Sequence, residues 1–118
     1  MRDADLFIDL HGEPDSTAPS VAHAIGLPLR RITTDDGETF WAWSDGRCRV
    51  TFGDHEFEDG DWTYSNYRYH LGVETNDDEL RVGLARRLFE SLKTLGAPML
   101  LLDNFETQLD EWAPAART

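Results

Sequence analysis

Carboxylates recur at alternate positions in Asp54-His55-Glu56-Phe57-Glu58 and continue through Asp59-Gly60-Asp61, so that five of the eight residues are acidic. Alternate carboxylates ahead of Asp-Gly approach the start of a calcium-binding loop. Two strict features are missing. The twelfth position holds Ser65 where a bidentate Glu is needed, and no helical pattern precedes the run. A solvated turn, or a contact surface for the Lys and Arg of a partner, makes fewer demands. On the second reading Asp54, Glu56, Glu58, Asp59 and Asp61 supply charge, His55 stands among them, and Trp62 is the aromatic anchor.

The histidines His11, His23, His55 and His70 include no pair at the i, i+4 spacing of a helical metal clamp, and the lone Cys48 is predicted to face a core, so no metal and no cofactor are expected. There is no G-x-S-x-G and no Gly-rich phosphate loop. Asp9 with His11, and His70 with Glu74, have the residue types for acid/base work, but period-2 spacing also makes each pair an ordinary polar strand surface. No catalytic residue is assigned, and the chain is expected not to be an enzyme.

Four cationic residues form the alternative site. Asp45-Gly46 sits between two β-prone runs, TFWAWS and RCRVTF, and is a strong hairpin signal. A two-residue loop would pair Trp43 with Cys48 and Trp41 with Val50. That register places Trp41, Trp43, Cys48, Val50 and Phe52 on the core face, and Phe40, Ala42, Arg47 and Arg49 on the other. Alternation from Trp62 to Glu74 puts Tyr67, Tyr69, Leu71 and Val73 inside and Arg68 and His70 outside. Arg47, Arg49, Arg68 and His70 would then form a patch able to hold a carboxylate or phosphate, unless Glu74 and the acidic run neutralise it in a cross-strand ladder.

The elements that position these residues follow from apolar spacing. Leu6 to Leu10 reads as a strand. Ala18, Val21, Ala22 and Ile25 mark a first helix, capped by Ser16 or Thr17 and closed by Gly26. Leu29 to Thr34 reads as a strand before the hairpin. Leu80, Leu84, Leu88, Leu92 and Leu95, with Ala85 and Phe89 beside them, line a second helix capped at Asn76. Met99 to Leu102 is an uninterrupted apolar run, as in a strand covered on both faces. Phe105, Leu109 and Trp112 fit a short third helix with Asp103 and Glu106 as its cap pair. The expected fold is an α+β two-layer sandwich: an antiparallel β-meander, one added buried strand, and two to three helices on one face.

At 118 residues, 40% of them apolar, the chain is expected to form a single domain over residues 1–118, with 114–118 as a flexible tail. Twenty-three acidic residues against 11 Lys and Arg leave a net charge of -12, a field that disfavours nucleic acid and anionic membrane and favours a cationic surface. A single cysteine excludes an internal disulfide, and no apolar run reaches membrane-spanning length, so a soluble cytoplasmic protein is expected. The function that combines these features is a small acidic binding protein that occludes a basic protein partner; its most specific form is an immunity protein against a cationic bacterial toxin. The alternatives are a small-ligand binder or enzyme on the Arg/His sheet face, and a structural assembly subunit.

Overall fold

The computed structural model describes residues 3–54, 67–103 and 107–114. One antiparallel sheet of seven strands organises the chain, in the order β2-β3-β4-β5-β1-β6-β7. The strands are β1 (Asp3–Ile8), β2 (Arg30–Thr33), β3 (Thr39–Ser44), β4 (Arg49–Asp54), β5 (Tyr69–Glu74), β6 (Met99–Asp103) and β7 (Thr107–Trp112). Helix α1 (Pro14–Ile25) follows β1, and α2 (Asp78–Leu92) joins β5 to β6 through one 3-10 turn, Lys93–Leu95. Both helices pack on one face, as the expected α+β architecture requires. No helix among the described residues is long and apolar enough to cross a membrane.

Alternation along the strands builds the core beneath the helices. Leu6, Ile8, Val50, Phe52, Leu71, Val73, Met99 and Leu101 point there and meet Val21 and Ile25 of α1 and Ala85, Leu88, Phe89 and Leu92 of α2. Each such side chain contributes about 1.5–3 kcal/mol when fully removed from water. Helix α1 starts a turn earlier than predicted because Pro14, whose fixed φ suits a first helical residue, opens it after Glu13. The cap of α2 is Asp77, not Asn76: its carboxylate accepts the Leu80 N–H at 3.0 Å.

The hairpin keeps its predicted facing and changes its register. Trp41 pairs with Phe52 and Trp43 with Val50, two residues along from the expected partners, and residues 45–48 form a four-residue loop. Asp45 causes the change. Its Oδ1 accepts the N–H groups of Cys48 (2.8 Å) and Arg47 (2.9 Å), which ties the four-residue loop together and holds its carboxyl below the ordinary range. A two-residue slip preserves parity, so Trp41, Val50 and Phe52 remain in the core and Arg49 stays outside.

The third helix is overturned. Thr107 to Trp112 is the edge strand β7, paired with β6. Its register shifts between Leu101 and Leu102, where Gln108 and Asp110 pair and Leu109 is the inserted residue. That bulge puts Leu109 and Trp112, three apart, against the same core and so mimics helical spacing.

The face away from the helices is covered in part. Phe7, Leu100 and Leu102 are buried there in a second, small apolar cluster with Tyr67 packed against it, so the β6 run is covered on both faces as expected. Tyr67 therefore lies on the face opposite the one predicted for it. Toward β2, β3 and β4 no described residue outside the sheet covers the same face.

Candidate functional site

Three rows of neighbouring residues cross that open face. The first runs Asp3, Glu74, Arg49, Ser44; the second Leu102, Asp5, Gly72, Thr51, Ala42, Arg30; the third Leu100, Phe7, His70, Gly53. Gly72 stands at their centre, in the middle row, and has no side chain. A Cβ at Gly72 would lie 3.1 Å from Thr51 Oγ1 and 3.2 Å from His70 Cε1, so the imidazole occupies the space a side chain would fill. From there His70 Nε2 reaches Asp5 Oδ1 at 2.7 Å. Phe7 closes the other side, its ring centroid 5.0 Å from that of His70.

Asp5 is wholly buried, whereas the His70 side chain is 28% exposed. This hydrogen bond fixes the ring against the buried carboxyl group. Its second oxygen, Oδ2, is buried and has no hydrogen-bond partner among the described residues. A buried acceptor in that condition costs about 1–3 kcal/mol. Asp3 stands two residues back on the same face. Burial first, then the Asp5 charge, push Asp3 above its ordinary value, while His70 pulls it down. Asp3, Asp5 and His70 thus lie along one seam between the apolar cluster and the open face.

Next to this seam lies a groove of about 290 Å³, lined by Glu38, Phe40, Arg49, Thr51, Asp54, His70 and Glu74 among others. Arg49 stands 4.0 Å from Glu74 and 5.9 Å from the Phe40 ring centroid, the cross-strand ladder that was the alternative to a cationic patch. A second groove, about 360 Å³, opens near the start of α1; Glu13, Asp15, Arg31, Trp41 and Asp54 line it. Arg31 there is held by Asp15 at 3.1 Å. Asp54 belongs to both grooves and forms the wall between them.

Of the predicted cationic set, the groove brings together Arg49 and His70. Arg47 sits on the hairpin loop and lines a separate recess with Arg49, Glu74 and Asn76. Arg68 leaves the set: its guanidinium lies 5.2 Å over the ring of Tyr69, which belongs to the helix-covered core. Of the acidic set, Asp54 ends β4; His55, Glu56, Glu58, Asp59, Asp61 and Trp62 lie outside the described residues. Asp9 and His11 follow β1, and neither joins a site. Asp5 escaped sequence reading because it stands between Ala4 and Leu6 in a strand whose pairing partners are more than 60 residues away. The available sign was a carboxylate in period with Asp3 and Phe7.

Among the described residues no group of three or more His, Cys, Asp or Glu is arranged to hold a metal ion. No family model, curated protein or solved structure matches the chain.

Proposed function

We propose that the chain is a small acidic binding protein that occludes a basic protein partner, in its most specific form a cytoplasmic immunity protein that neutralises a cationic toxin. The observation that carries this reading is the position of Asp54. The carboxylate that begins the acidic run is also the shared wall of two acid-lined grooves, so charge from the start of α1 (Glu13, Asp15), the β2–β3 connection (Glu38) and the end of β4 converges at one end of the strands. With a net charge of -12, long-range attraction raises the encounter rate, and a few desolvated cationic anchors supply affinity.

The test is to use the chain as bait in extract of its native cell and identify a retained basic protein. Replacing Asp54, Glu56, Glu58, Asp59 and Asp61 together by Lys is expected to abolish retention at low salt. Retention unchanged by that charge reversal contradicts the proposal.

A second reading, a small-ligand binder or enzyme on the open face, draws its support from the buried Asp5 behind His70, since a buried carboxyl hydrogen-bonded to a groove-lining imidazole is a common feature of working sites. A thermal-shift panel of metabolites separates the two; the ligand reading expects a stabilising hit that replacement of Arg49 or His70 removes.

A further inference from the structure

We infer that the outer edge of β2 is a docking site for an acidic extended segment of a partner protein, which joins the sheet as one further strand antiparallel to β2. The inference is independent of the occlusion reading, which concerns the carboxylates around Asp54. Strand β2 pairs only with β3, and all four of its residues are exposed. Such a strand leaves alternate N–H and C=O groups pointing away from its neighbour, and an incoming strand satisfies them. Among the described residues Ile32 of β2 is the one exposed large apolar side chain. It lies in a recess of about 430 Å³ in which Arg30, Arg31 and Arg49 surround Ile32, Ala42 and Trp43. No described carboxylate lines that recess, in a chain whose net charge is -12.

Charge decides the occupant. The register with β3 sets Arg30 and Ile32 on the open face of the sheet and Arg31 and Thr33 on the other. Arg30 has no ion-pair partner among the described residues. Arg31 is met by Asp15 at 3.1 Å, yet its side chain remains 57% exposed, and Arg49 stands 4.0 Å from Glu74. An antiparallel strand with a β-branched residue opposite Ile32, followed by two acidic residues opposite Arg31 and Arg30, covers the apolar surface and pairs both guanidinium groups. A second copy fits less well. Two β2 edges together would set the arginines of one against those of the other, and the far edge of the sheet, β7, is interrupted by the bulge opposite Leu101 and Leu102. The β2 edge is thus regular enough to pair, and its charge selects an acidic strand.

The probe is a synthetic peptide in which Thr-Val-Glu-Glu is flanked by serines. Calorimetric titration into the full chain is expected to show binding that weakens about fivefold in Arg30→Glu, and amide hydrogen exchange to slow within β2 but not in α2. The same peptide N-methylated at alternate residues along its pairing edge keeps its side chains and loses its donors, so it is expected not to bind. That comparison uses the unaltered protein; a melting curve verifies that Arg30→Glu is folded. Failure of the peptide to bind, equal affinity of the N-methylated form, unchanged binding in Arg30→Glu, or protection confined to elements other than β2 overturns the inference. Equal binding of a peptide with Lys in place of Glu does the same. Sedimentation of the protein alone is expected to show a monomer; self-association that Arg30→Glu removes would make the occupant a second copy and overturn the acidic partner.

Discussion

Two buried polar side chains tie the sheet together, and they are built on different plans. Arg81 of α2, only 2% exposed, sits on the helix side with three nitrogens engaged: Nη1 donates to Asp78 at 2.6 Å, and Nε and Nη2 donate to Asp103 at 3.1 and 3.5 Å. Those bonds, the one to Asp78 foremost, outweigh burial and raise its proton affinity, so the charge is permanent. Asp5, on the opposite face, has one oxygen bonded to a partly exposed imidazole and the other without a hydrogen-bond partner among the described residues. The first arrangement is satisfied and closed, as a stabilising lock must be; the second retains unspent bonding capacity beside a groove, which is the usual mark of a site that sacrifices stability for function.

Mutagenesis can break or sharpen that contrast. Arg81→Ala should have the largest effect, a loss of about 3–5 kcal/mol in chemical denaturation, because it strands Asp103 and opens a cavity between α2 and β6. Gly72→Ala comes next. Its Cβ must displace Thr51 or His70, at about 1–3 kcal/mol, and the His70 ring signals in a proton spectrum should move with it. Asp5→Asn should cost nothing or stabilise by about 1 kcal/mol, since it removes a buried charge while keeping an acceptor for His70. If Asp5→Asn loses as much as Arg81→Ala, the two sites are not different in kind.

The smallest effect is a pH dependence. Asp3 binds its proton more tightly in the folded chain than in the unfolded one, so its contribution to stability is present in acid and lost as pH rises from the ordinary carboxylate value through the raised one. Asp3→Asn should therefore remove a fall in stability over that interval, measured by urea titration at successive pH values.

Much of the architecture was legible because burial imposes period. The leucines of α2 and the alternation of Tyr69, Leu71 and Val73 were readable, and so was the facing of Trp41 against Arg49, which survived a register error because the slip was even. The failures share a cause in local exceptions to period. Asp45 used its side chain to lengthen a turn, Leu109 was displaced by a bulge, and Arg68 stacked on a core tyrosine just outside β5. The site was less legible than the fold. Asp5 and His70 are 65 residues apart and meet only because β1 is inserted between β5 and β6, a choice of neighbours that no local pattern in either strand announces.

Backbone amide shifts recorded while hexa-arginine is titrated into the labelled protein test the central claim most directly, that the Asp54 edge and the open face of the sheet are the working surface. Saturable shifts are expected at Glu38, Phe40, Thr51, Asp54 and His70, with α2 unperturbed. Shifts confined to α2, or spread evenly over every exposed carboxylate, would contradict it.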